Sequence, residues 1–141
     1  MNETPQTATL PSTTTEPWPK GIGAVTMFVE DLNQAKEFYL DVFGVPLVHE
    51  DDASVVFKFG SLLINLLVTT AAPELIEPAV VATPDAGSRF VLSVEVDDVD
   101  AVCALLADRG VELLNGPIDR PWGIRTASFR DPGGHIWEIA H

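Results

Sequence analysis

The sequence predicts an α+β fold in which two βαβββ modules pair into one domain. Three observations predict it. The 141 residues suffice for one domain and are too few for two ordinary ones. Two segments, about 21–70 and 89–141, spell the same order of strand, capped helix, glycine stop and further strands. Their helix caps, Asp31 and Asp98, stand 67 residues apart, which reads as an internal duplication; two copies are too few for a solenoid.

Residues 1–18 (MNETPQTATLPSTTTEPW) are rich in Thr and Pro, have no hydrophobic period, and read as a disordered tail before a domain over 19–141. In the first module Asp31 and Gln34 have capping-box spacing. Leu32, Ala35, Phe38, Tyr39 and Val42 then recur at helical spacing, and Gly44 closes the helix. PLVHE, SVVFKFG and SLLINLLV follow as strands. Residues 71–88, with three prolines, read as the connector. In the second module Asp98 caps, Val99, Val102, Cys103 and Leu106 form the stripe, and Gly110 closes. VELLN, IRTASFR and HIWEIA are its strands. Asp131-Pro132-Gly133-Gly134 has the residues of a type II turn before the last of them. Short turns imply mostly antiparallel neighbours, and each sheet keeps one face for its helix and one free to cover a cavity.

Composition excludes several classes of partner. With 21 acidic against 8 basic residues the formal charge is −13, which repels phosphate backbones and anionic lipid, so neither nucleic acid nor membrane is expected. A single cysteine, Cys103, allows no intrachain disulfide. No apolar run approaches the roughly 20 residues of a membrane span, and the first twenty residues lack a basic start and apolar stretch. Cytoplasm is the expected location.

Val29-Glu30-Asp31-Leu32 with Phe38-Tyr39 and Phe43-Gly44, then Phe129-Arg130-Asp131-Pro132-Gly133-Gly134 and Trp137-Glu138, resemble the vicinal oxygen chelate superfamily. Glyoxalase I, extradiol dioxygenases, fosfomycin-resistance enzymes and bleomycin-resistance proteins belong to it. The resemblance covers residues 21 to 140, and Pro121-Trp122-Gly123 leading into Phe129-Arg130-Asp131-Pro132 is similar to the bleomycin-resistance branch. It implies a shared cavity, a homodimer, and, in catalytic members, a divalent ion held by four strands. Seven positions before each cap, the resemblance places the opening-strand ligands at Ala24 and Val91; matching SLLINLL to GHIWEIA adds Asn65 and Glu138. Of this set Glu138 alone is an ordinary ligand for a catalytic metal. A register shift of two would substitute Thr26 and Ser93, which are also poor ligands. No metal or other cofactor is expected.

Glu138 is read either as a general base or polar anchor, or as a residue bonded to Asn65 or Arg125. His135 and His141 alternate away from Glu138 and, with His49, read as surface histidines. Cys103 on the helix stripe reads as a small core residue. Phe57 and Phe59 share one side of their strand and wall a cavity or pack in the core. Trp122 beside Arg125 suits a planar, partly anionic ligand. Trp137, opposite Glu138, is expected under a helix. Gly21-Ile22-Gly23 precedes a strand and so is no phosphate loop.

The function expected is metal-independent binding of a small organic molecule by Thr26, Phe57, Phe59, Asn65, Ser93, Trp122, Arg125 and Glu138, with drug or metabolite sequestration implied by the resemblance. The alternatives are a glyoxalase-type lyase, isomerase or epimerase using Glu138 as base or an unconventional metal site, and an assembly module with a degenerate pocket.

Overall fold

The computed structural model describes Pro17 and residues 21–141; the tail expected over 1–18 lies, Pro17 aside, outside the described residues. The two modules have one topology. β1 (Ala24–Val29), β2 (Leu47–Glu50), β3 (Ser54–Phe59) and β4 (Leu62–Val68) form a sheet in the order β1-β4-β3-β2. β5 (Leu92–Glu95), β6 (Leu113–Asp119), β7 (Arg125–Arg130) and β8 (Ile136–Ala140) repeat it as β5-β8-β7-β6. The first and last strand of each module pair in parallel and the remaining neighbours are antiparallel. The parallel pair follows from the helical crossover that each module inserts after its first strand.

Helix α1 (Leu32–Phe38) starts as expected, with the Asp31 carboxylate accepting the Gln34 amide at 3.0 Å. Its end differs from the expected α-helix. Tyr39–Phe43 form one π turn, in which the Gly44 amide reaches back to the Tyr39 carbonyl and Gly44 takes φ 65°. The wider turn gathers aromatic rings: Phe43 lies 5.2 Å from Tyr39 and 4.7 Å from Trp137, centroid to centroid. The connector folds into a short helix α2 (Pro73–Ile76) flanked by 3-10 turns, Thr69–Ala71 and Pro84–Ala86. Helix α3 (Val99–Asp108) is capped by Asp98 through the Ala101 amide at 3.0 Å.

One side of each sheet is apolar and helix-covered. Met27, Val29, Val55, Phe57, Ile64 and Leu66 supply the first, and Ala127, Phe129, Trp137 and Ile139 the second. With Tyr39, Val42, Val99 and Leu106 they make a single core. The two modules are therefore joined through their helix-bearing faces. Each fully buried large side chain of this kind contributes roughly 1.5–3 kcal/mol, so apolar burial supplies the bulk of the stability.

A polar knot sets the register of the joint. Asp131, 4% exposed, takes the Tyr39 hydroxyl on Oδ2 at 2.6 Å. Trp137 Nε1 donates to the same Tyr39 oxygen at 3.2 Å. The other carboxylate oxygen accepts the amides of Gly133 and His135 at 3.0 and 2.9 Å, and His135 Nδ1 lies 3.0 Å away. These bonds correct two expectations. The Asp131–Gly134 turn is not type II, since the left-handed residue is Gly134 (φ 89°) and not Gly133; the Asp131 side chain rather than the proline decides its shape. His135 is not a surface residue, because its ring turns in to reach Asp131 and leaves the side chain 16% exposed. The ring fills the space that a Cβ on Gly133 would need: Cε1 would lie 2.8 Å away.

β6 departs most from the strand expected over 111–115. It starts at Leu113 and continues through Gly116-Pro117 to Asp119, with irregular register on both sides of Asn115. An edge strand tolerates proline because no ladder bond is lost. Gly116, at φ 94°, presses on β7, where a Cβ would meet the Thr126 carbonyl oxygen at 2.5 Å and the Ala127 Cα at 2.7 Å.

Two predictions follow from the joint and from this edge. Burial and the neighbouring Asp131 raise the Tyr39 pKa well above its ordinary value near 10. The phenol's contribution is complete below pH 10 and is lost as pH climbs further. Tyr39 is the single tyrosine, so an alkaline titration followed at the tyrosinate band should rise only with cooperative unfolding. Tyr39→Phe should flatten that pH dependence and cost about 1–3 kcal/mol in urea unfolding at neutral pH. Gly116→Ala should cost about 2 kcal/mol or more, since the left-handed conformation and the contact with β7 both resist a side chain.

Candidate functional site

The helix-free faces carry the chemistry. Cross-strand partners share a face, so the registers define one row on each sheet. On the first, Thr26 pairs with Asn65, Asn65 with Val56, and Val56 with His49. On the second, Ser93 pairs with Glu138, Glu138 with Ser128, and Ser128 with Asn115. The rows are the duplication seen in side chains. Thr26 and Ser93 occupy equivalent places, as do Asn65 and Glu138.

In this pairing the quartet drawn from the sequence does not consist of direct ladder partners. Ala24 pairs with Leu63 one pleat away from Asn65, and Val91 precedes β5 and is 48% exposed. The residues that stand together are Thr26 with Asn65 and Ser93 with Glu138. Asn65 Nδ2 donates to Thr26 Oγ1 at 3.3 Å, while Asn65 Oδ1 is out of solvent with no partner among the described residues. Either orientation of the amide leaves one of its atoms unpaired. Ser93 Oγ donates to Glu138 Oε1 at 2.7 Å, so Glu138 is bonded to neither Asn65 nor Arg125. A carboxylate has about four lone-pair sites, so Glu138 retains capacity for another donor.

Three other expected ligand contacts fall elsewhere. Phe57 is 0% exposed and stacks on Tyr39 at 5.5 Å. Phe59 stacks on Trp137 at 5.2 Å and lines an apolar hollow of about 330 Å³ with Val45, Leu62, Ile64, Leu92, Ser93 and Val94. Both rings lie on the helix face, since Phe57 pairs with Ile64 and Phe59 with Leu62, and strand alternation places Asn65 on the other side. Arg125 also belongs to the helix face, one residue out of phase with Thr126 and Ser128. It bridges Asp119 at 2.9 Å and Asp100 of α3 at 3.0 Å, which hold its guanidinium away from Glu138. Trp122, by contrast, stands 69% exposed in the β6–β7 turn.

Two arginines share the free face: Arg130, paired with Ile136 at the far end of β7, and Arg120, which sequence reading missed. Nε donates to Thr126 Oγ1 and Nη2 to Asn115 Oδ1, both at 2.8 Å. Thr126 and Asn115 lie on the Glu138 side of the sheet, so these bonds draw Arg120 across it. No local signal marks Arg120, because the phase of β7 against β8, which puts Arg125 on the helix face, is set by the pairing of Ser128 with Glu138.

The side chains of Cys103 and Trp137 behave as read. Burial and nearby Asp100 raise the Cys103 pKa, which disfavours a thiolate. Trp137 is buried on the helix side.

The donor set can be compared with what a metal requires. A catalytic divalent ion takes His, Cys or carboxylate donors, typically three of them. Thr26, Asn65 and Ser93 are neutral oxygen donors, and Glu138 supplies the set's one carboxylate. No three His, Cys, Asp or Glu side chains among the described residues are placed to hold an ion together. These residues do not fit such a metal.

Known proteins repeat this architecture. A glyoxalase/bleomycin resistance protein/dioxygenase from Nocardioides is similar with TM-score 0.78 at 23% identity, over 89% of this chain and 85% of its own. Lactoylglutathione lyase from Agrobacterium tumefaciens is similar with TM-score 0.70 at 23% identity, over 86% of this chain and 93% of its own. At such identities the likeness is one of fold. In sequence, the uncharacterized protein YraH of Bacillus subtilis (strain 168) is 33% identical over 119 residues, which cover 82% of this chain and 93% of that protein. The family model described as Glyoxalase/Bleomycin resistance protein/Dioxygenase superfamily matches residues 21–139. With paired βαβββ modules, a relative at this identity and a match across nearly the whole described chain, the protein belongs to the glyoxalase/bleomycin resistance protein/dioxygenase superfamily.

Proposed function

We propose that this member of the superfamily binds a small organic molecule on the helix-free faces of its sheets, without a metal. One observation carries the reading: of the positions where the resemblance expects metal ligands, Ala24 and Val91 offer no donor and Asn65 and Glu138 are engaged by Thr26 and Ser93, which leaves a hydrogen-bonding set with one carboxylate. The spare acceptor sites of Glu138 suit a ligand that brings its own donors. Burial of apolar ligand surface would supply most of the affinity, at roughly 25 cal/mol per Å², with these polar groups setting orientation.

Within one chain the helix-bearing faces are joined by the common core, so the two polar rows lie on faces turned away from the joint. A second copy, its first sheet set against the second sheet of its mate, would close a cavity with both rows in it. A homodimer is therefore part of the reading. Catalysis with Glu138 as general base is the second reading. It rests on the carboxylate that Ser93 holds by a single hydrogen bond on a free face.

Three measurements test these statements. Protein incubated with zinc, manganese or nickel and passed through a desalting column should retain far less than one ion per chain by elemental analysis; a stoichiometric ion would overturn the metal-free reading. Sedimentation should give twice the chain mass. A broad small-molecule screen should find ligands that stabilise the fold by RT ln(1 + [L]/Kd) and so raise the melting temperature, and Asn65→Ala or Glu138→Gln should reduce that rise. Turnover of a screened compound that vanishes in Glu138→Gln while its binding persists would replace binding with catalysis.

A further inference from the structure

We infer that the ligand is a small planar carboxylate carrying an amine or hydroxyl at its far end, with the carboxylate on Arg120 and the donor on Glu138. This rests on the free face of the second sheet being the binding face, as proposed above.

The inference starts from what holds Arg120. Its guanidinium is fixed by two neutral acceptors, Thr126 Oγ1 and Asn115 Oδ1, both at 2.8 Å. Its backbone is fixed as well, with the Arg120 amide on the Ile124 carbonyl at 2.7 Å and the Gly123 amide on the Arg120 carbonyl at 3.0 Å. No carboxylate pairs with it among the described residues, whereas Arg125 has two acidic partners and Lys36 has Glu50. In a chain of formal charge −13, a half-buried arginine oriented by neutral groups keeps its charge uncompensated. Nε and Nη2 are committed, and Nη1 has no partner among the described residues. Planar guanidinium nitrogens favour a planar oxyanion over a spherical one.

The rest of the face adds the other end. Asn115 on β6 and Thr126 on β7 hold the guanidinium, and Glu138 on β8 lies diagonal to Thr126, roughly 7–8 Å away between backbones. Arg120 reaches inward from the β6–β7 side, and the Ser93-bonded carboxylate of Glu138 waits across β7. Among the described residues no ion pair joins Arg120 to Glu138, while Thr126, which holds Nε, is the diagonal neighbour of Glu138, so one small molecule can touch both. Trp122, 69% exposed in the turn that positions Arg120, offers a flat apolar surface at the edge of the site.

The test uses the full chain and three probes: 4-(aminomethyl)benzoate, its neutral amide 4-(aminomethyl)benzamide, and 4-methylbenzoate, which lacks the amine. Nitrogen-resolved NMR titration follows the Arg120 Nε and Trp122 Nε1 signals. The amino acid probe should shift both signals, and each control should bind about tenfold more weakly or worse, as expected for a lost charge-assisted hydrogen bond. Arg120→Gln should erase the preference for acid over amide and Arg120→Lys should keep part of it, with melting curves checking that both variants fold. Glu138→Gln should erase the preference for the amine. Equal binding of acid and amide, or an acid preference that survives in folded Arg120→Gln, would overturn the inference. A neutral ligand from the screen that binds this face while all three probes fail would overturn it too, and leave the binding reading intact. If nothing of either charge shifts the free-face signals, both fall.

Discussion

The fold depends on one buried carboxylate. Asp131 sits in the turn before the last strand, yet one of its oxygens is bound by Tyr39 from the helix of the other module. A buried polar group costs free energy unless its partners are in place, so the turn, the helix end and Trp137 must arrive together. The net worth of such bonds is modest, about 1 kcal/mol each, and small beside the apolar core. Their effect is to select one arrangement of two interchangeable-looking modules. Apolar surfaces alone would tolerate sliding; a phenol aimed at a carboxylate does not.

That joint determines where chemistry is possible. It uses the helix-bearing faces and consumes Phe57, Phe59, Phe43 and Trp137 as packing. What remains for recognition are the opposite faces and their polar rows. The π turn at Tyr39–Phe43 belongs to the same design, since it brings the hydroxyl of Tyr39 and the ring of Phe43 to the second module at once. A regular α-helical turn would advance these side chains by a different angle.

How much of this was legible in the sequence varied with the range of the forces involved. Helix starts were legible because Asp31 and Asp98 act on amides three residues away. Alternation within a strand was legible too, and it placed Trp137 opposite Glu138. Register between strands was not, because a slip of two residues keeps every side chain on its face, and Ala24 and Thr26 share one. Arg125 was assigned to Glu138's side because the phase of β7 against β8 is set by tertiary pairing. Gly116-Pro117 spells a terminator locally, whereas at a sheet edge it makes an irregular strand that carries on to Asp119. The buried Asp131–His135 contact was hidden for the same reason: its third member, Tyr39, lies 92 residues upstream.

The two rows are copies in position and opposites in character. Thr26, Asn65 and Val56 present a neutral wall, while Glu138, Ser128 and nearby Arg120 present a polarised one. A guest held between such walls has a head and a tail, and inverting it would set charge against amide. Drift along β1 and β4 would then tune how tightly guests are held in general. On the binding reading proposed above, drift along β6 to β8 would change which guests are accepted, which would divide grip and choice between the two halves.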